Sequence, residues 1–288
     1  MTKCHSGFCF DDGFYFTLFG KINLATQFML FAEIQEKIQD AKQLDFGNLL
    51  NDSIDLFKKV WLQGLLMLLI TFTFIIPFLC IIYIPLVVFG VANTTQPSAY
   101  DDLAPIAILF FGVAYLLFVF AMMVIPFGLK AGLFRIMRQK DMDMIGADDF
   151  LFFLRKRYLL KTIKLSLAYF GISLVATLLC MFPIIYVMVP LNLLIVIYAF
   201  NPEMSGSNLI KASFDLGNKK WFITFGITLI AGFMAHMVGM LLCGIGVFVT
   251  YSFAMIPLYF IYKEVIGFDE DANELIQIGN NQNFDATI

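Results

Sequence analysis

Long apolar runs, separated by short charged segments, dominate the chain. Residues 61–92 form one run of 32 positions. A membrane helix needs about 20 apolar residues to cross a ~30 Å hydrocarbon core. Pro77 and Pro85 interrupt this run, which is read as one long, kinked or tilted span. Three more spans are predicted at about Ala104–Leu129, Ile163–Met181 and Ile184–Phe200, with a tight turn at Met181–Pro183. The 42-residue run Trp221–Tyr262 must hold two spans that turn near Cys243, Gly244 and Gly246. Two polar segments carry helical periodicity. Phe31, Ile34 and Ile38 mark a polar helix over 29–42, and Leu50, Ile54, Phe57 and Trp61 mark an amphipathic one. The second is expected to lie at the membrane interface with Trp61 at headgroup level.

Part of this pattern occurs twice. Asn48–Ile70 and Asn208–Ile230 align without a gap at a shift of 160 residues, with 9 of 23 positions identical. Asp55/Asp215, Lys59/Lys219 and Trp61/Trp221 are among them, and these two tryptophans are the only ones in the chain. They read as interfacial anchors. Residues 153–158, FLRKRY, echo LFKKVW at 56–61 as a worn third copy, with Asp148 or Asp149 as the expected helix cap. Ser205 or Ser207 is the expected cap of the second full copy. Three Pro-containing triplets (125–127, 189–191, 256–258) and three triplets ending in cysteine (78–80, 178–180, 241–243) recur in the same order. The expected fold is therefore all-α. It has six transmembrane helices arranged as three parallel hairpin units, each preceded by an amphipathic interfacial helix. All units point the same way, unlike inverted transporter repeats.

Composition supports this class: the 288 residues are 60% hydrophobic and only 14% charged, with a net charge of −3. No basic patch suggests nucleic acid as a partner. None of the 19 Lys and Arg lies within 62–129, 165–210 or 221–262. Alternating spans then place every positive charge on one side, which the positive-inside rule assigns to the cytoplasm. The predicted organisation has three parts. Residues 1–43 form a cytoplasmic N-terminal segment with the polar helix. Residues 44–266 form the six-span domain, and residues 267–288 an acidic, polar cytoplasmic tail. The location is the cell (inner) membrane, with both termini cytoplasmic. No signal peptide is read at the N-terminus. Gly13–Phe31 is too interrupted by Lys21, Asn23 and Gln27 to span, and translation could begin at Met1 or Met29.

Candidate chemistry is sparse. His236 is the only ionisable side chain deep in a predicted span, and Asn192 is the strongest polar group in the fourth. Each reads as a helix-joining group or as a residue lining a cavity. Ala231, Ala235 and Gly239 form a small-residue stripe, expected to pack within the chain. Cys80, Cys180 and Cys243 lie near the outer span ends, as small hydrophobes or a disulfide pair. No GxxxxGK[ST] or HExxH motif occurs, and no span carries a carboxylate for ion coupling. No catalytic residue, cofactor or metal site is expected.

The two stretches NLLNDSIDLFKKVW (48–61) and SNLIKASFDLGNKKWFITFGITLI (207–230) carry a resemblance. The chain resembles uncharacterised bacterial six-helix membrane proteins related to the membrane domain of certain glycerophosphodiester phosphodiesterases. The resemblance covers roughly residues 44–266 as architecture, implies no catalytic residues, and lacks the phosphodiesterase domain. Some similar proteins are labelled as carotenoid-cleaving oxygenases, whose set of iron-binding histidines cannot be built from His5 and His236. The expected function is non-enzymatic. The chain would organise the membrane, or bind other membrane proteins, a second copy or anionic lipid headgroups. The alternative is a permease or channel for a small neutral or hydrophobic solute.

Overall fold

The computed structural model describes residues 29–95, 104–179, 181–242, 244 and 246–268. Among them every regular element is helical. Helical residues 29–39 (α1) are followed by α2 (Phe46–Thr95), α3 (Ala104–Asp141) and a 3-10 turn, Phe152–Leu154. Then come α4 (Lys156–Leu178), α5 (Met181–Phe200), α6 (Gly206–Lys219) and α7 (Trp221–Leu241). The last run consists of α8 (Gly246–Thr250), a 3-10 segment, Tyr251–Met255, and α9 (Ile256–Val265).

Six stretches are long and apolar enough to cross a membrane: Phe46–Pro85, Leu109–Asp141, Lys156–Leu178, Pro183–Phe200, Trp221–Leu241 and Gly246–Val265. The chain thus has the architecture of a multi-pass membrane protein. Helix α2 packs on α3 and equally on the broken sixth span, α4 on α5, and α7 on the sixth span. The described basic groups gather at one end of the bundle, called here the charged end. There Lys263 pairs with Asp141, Lys140 with Asp148 (3.3 Å) and Arg157 with Glu203 (3.3 Å).

The core is densest near this end. Phe134, Phe153, Tyr198 and Tyr259 are buried there. The Tyr198 hydroxyl lies 2.8 Å from Thr162 Oγ1, and its ring is 4.7 Å from Phe153. Burying such aromatic bodies while pairing their hydroxyls is what a dry interior requires. Away from this end, α2 and α3 present exposed apolar side chains such as Ile84, Val87, Leu109 and Leu116.

Several expectations need correction. In the expected interfacial stripe, Leu50, Ile54 and Phe57 are half-buried and pack against the core, and they are not the most buried face of their helix. Leu49, Ser53, Leu56 and Val60 are buried instead, one position earlier, and Trp61 is exposed. A helix running straight on into a span must keep one face toward its neighbours throughout, which selects 49, 53, 56 and 60. The first matching stretch has no separate helix before its span, because Phe46–Thr95 is continuous. Only α6 stands apart, before α7. Neither Asp148 nor Asp149 caps α4, whose first turn follows Arg155 with no side-chain cap. Asp149 pairs with Arg155 (2.8 Å) instead. The basic segment 130–140 continues α3 as helix, and Met181–Pro183 form the first turn of α5. Ser205 is the cap of α6, accepting from the Asn208 N–H at 3.3 Å. The expected loop 93–102 begins later, since α2 runs through Thr95. The expectations for 1–28, for 96–102, for Cys180 and Cys243 and for the tail from 269 fall outside the described residues.

Candidate functional site: a cleft against a broken span

The sixth span is not one helix. Pro257 has no N–H, so Phe253 O lacks its i+4 partner, and the chain tightens so that the Ile256 N–H donates to Phe253 O. Thr250 strengthens the break, since its hydroxyl lies 2.7 Å from Ala235 O and 3.0 Å from Gly246 O. Two glycines let neighbours approach this span closely. A Cβ on Gly64 would collide with the Ser252 side chain, and one on Gly239 would sit 2.6 Å from the Val247 backbone. The stripe Ala231, Ala235 and Gly239 is buried and faces this run, so it packs within the chain.

A cleft of about 250 Å³ opens between α5, α7 and this run. It brings together the two candidate residues: Asn192 from α5 and His236 from α7 both line it. Asn192 is half-buried and His236 is exposed. His236 lies five residues before the end of α7 at Leu241. Thr228, Thr250, Tyr251 and Met255 complete much of the lining. Thr228 and His236 are eight residues apart, so the cleft runs about 12 Å along α7. Toward the charged end it stops at Leu258, beyond which Tyr259, Phe260, Ile261 and Tyr262 are buried.

Hydrogen-bonding capacity is left over at this place. The hydroxyl oxygens of Thr224, Thr228 and Ser252 are buried and make no hydrogen bond among the described residues. Of these three, Thr228 lines the cleft, whereas the Ser252 side chain lies against Gly64 of α2. Buried polar atoms are nearly always paired, so the Thr228 orphan in the cleft suits a bound group or water. The sequence pointed to His236 and Asn192, and two of the milder polar groups that it reads as helix-joining, Thr228 and Thr250, line the cleft with them. Among the described residues, no three His, Cys, Asp or Glu side chains gather as metal ligands would.

The six residues expected to be interfacial anchors lie elsewhere, at the charged end. Asp55 pairs with Lys58 at 2.7 Å, and Lys59 reaches Asp143 at 3.1 Å. Asp215 accepts from Gln35 Nε2 at 3.0 Å, and the Lys219 ammonium donates to Gln39 O. Trp221 stacks on Phe225 at 4.9 Å and donates to Tyr186 O at 3.1 Å, whereas Trp61 is 43% exposed. None of the six touches the cleft.

Comparison with protein-family models, with curated proteins and with solved structures gave no match.

Proposed function

We propose that this chain is a non-enzymatic component of the cell (cytoplasmic) membrane that binds a lipid or membrane partner, with its charged end and both termini in the cytoplasm. The observation that carries this reading is the cleft itself, where Asn192, His236 and the unpartnered Thr228 hydroxyl share one small, mostly apolar space. That combination suits the neutral polar end of an amphiphile: a hydroxyl, ester carbonyl or amide. Its blind end at Leu258 favours holding over passing. Orientation rests on the gathering of Lys and Arg at one end. Three like-oriented hairpin units, and kinship to the membrane domains of glycerophosphodiester phosphodiesterases, remain part of this reading. Residues 48–61 and 207–230 support it.

The test uses the full chain in detergent with dioctanoylglycerol as probe. The probe should raise the melting temperature of the wild type and not that of Asn192→Leu/His236→Leu. No shift in the wild type, or equal shifts in both, would overturn the reading. Orientation is tested separately by labelling single cysteines from outside. Positions 93–102 should react and 135–160 should not; the reverse pattern rules it out.

One observation favours a second reading, a permease for a small neutral solute. The cleft wall is a 3-10 segment inside a span, and irregular backbone at membrane depth is tolerated where it lines a cavity. Glycerol flux into liposomes, followed by light scattering, should then fall in the same double variant. Unchanged flux ends this reading.

A further inference from the structure

A second concavity lies away from the cleft, between α3, α4 and α5. It has a volume of about 430 Å³. Phe118, Met122, Tyr169 and Phe170 are among its walls, and it reaches Lys130 and Ser166 at the charged end. From Phe118 to Lys130 is twelve residues of helix, a groove about 18 Å long. Its form is that of a slot for one extended apolar chain.

Lys130 sets the chemistry. It is half-buried, while every other residue from Phe127 to Phe134 is buried. Many nearby cations are already engaged. Lys140 pairs with Asp148, Arg155 with Asp149 and Lys263 with Asp141. Lys161 donates to the carbonyls of Pro202 and Met204. Lys130 makes no ion pair or hydrogen bond with any described residue. A half-buried lysine at the mouth of an apolar groove, with no counter-ion among the described residues, leaves its charge open to an anion. A lysine near the end of a span reaches toward the headgroup layer while its stem lies along apolar surface. At that depth the available anion is a lipid phosphate.

We propose that the groove holds an anionic phospholipid, with its phosphate against the Lys130 ammonium and one acyl chain along Phe118, Met122 and Phe170. Basic pockets between spans at the cytoplasmic side bind such headgroups. The inference rests on the reading of the chain as a lipid-binding membrane component and names a lipid class for it. It concerns a different site from the cleft and a charged rather than a neutral ligand.

Native mass spectrometry of the full chain, purified in mild detergent and supplied with phosphatidylglycerol or phosphatidylcholine, tests it. Phosphatidylglycerol should bind the wild type. Lys130→Met should lower its retention about fivefold, as expected for one surface lysine, and Lys130→Arg should restore it. Val119→Trp, which fills the groove but keeps the charge, should also lose the lipid and stands in if Lys130→Met does not fold. Asn192→Leu/His236→Leu should bind phosphatidylglycerol as the wild type does, which separates this site from the cleft. The proposal is overturned if phosphatidylcholine binds as well as phosphatidylglycerol. It is equally overturned if the Val119→Trp and Lys130 variants keep their lipid, if inorganic phosphate competes fully, or if the groove is covered by a second copy in a dimer instead.

Discussion

Asn48–Ile70 and Asn208–Ile230 share 9 of 23 residues and end in different structures. The buried face is shared. Leu49, Ser53 and Leu56 are buried in the first, and their counterparts Leu209, Ser213 and Leu216 in the second. The start is shared too. Asp45 Oδ1 accepts from the Asn48 N–H at 2.8 Å, and Ser205, 160 positions on, accepts from Asn208. The stretches part at one position. Val60 is buried, and α2 continues through it into the span. Its counterpart Lys220 adopts φ −115°, ψ 25°, and the helix breaks there. The Lys220 ammonium donates to the carbonyls of Ala41 (3.2 Å) and Lys42, just past the end of α1. Burial, and then the adjacent Lys219 charge, hold Lys220 below the ordinary lysine range. The identical residues thus keep the packing face, whereas the unlike pair Val60 and Lys220 decides whether the helix runs on or turns.

The comparison can be broken in order of effect. Leu56→Ala and Leu216→Ala should each cost about 2–5 kcal/mol of stability, as buried leucines do, measured by unfolding in mixed micelles. If either is silent, the shared face is not a packing face. Next, Trp221→Ala should cost about 2 kcal/mol through lost stacking and a lost hydrogen bond, while Trp61→Ala stays within about 0.5 kcal/mol. Equal costs would mean that the two tryptophans do the same work. Smallest, Lys220→Met should cost about 0.3–1 kcal/mol, since it removes a cation from the C-terminal end of a helix. Amide exchange in 29–39 should rise more than in α7. A uniform rise would contradict the docking role given to Lys220.

Much of the fold was legible because membrane spans announce themselves through length. The six apolar runs and their order needed no tertiary information. The α6 cap at Ser205 and the packing role of Ala231, Ala235 and Gly239 were legible from local rules. The rotation of the first amphipathic face was not, since Leu49 and Leu50 are equally apolar and only neighbouring helices choose between them. The meeting of Asn192 and His236 also depends on tertiary packing. Their helices are joined through α6, and the cleft exists because Pro257 breaks the sixth span beside them. Lys130 looked like one more member of a basic segment. Its half-buried place in the groove wall sets it apart.

The central claim is that the cleft holds the polar end of a neutral amphiphile. Photo-crosslinking tests it most directly, with a diacylglycerol carrying a diazirine beside its glycerol group, followed by peptide mapping. Labelling should fall within 228–236 and 247–258, and should disappear in Asn192→Leu/His236→Leu. Labelling spread evenly along the exposed faces of α2 and α3, and unchanged in the double variant, would contradict the account.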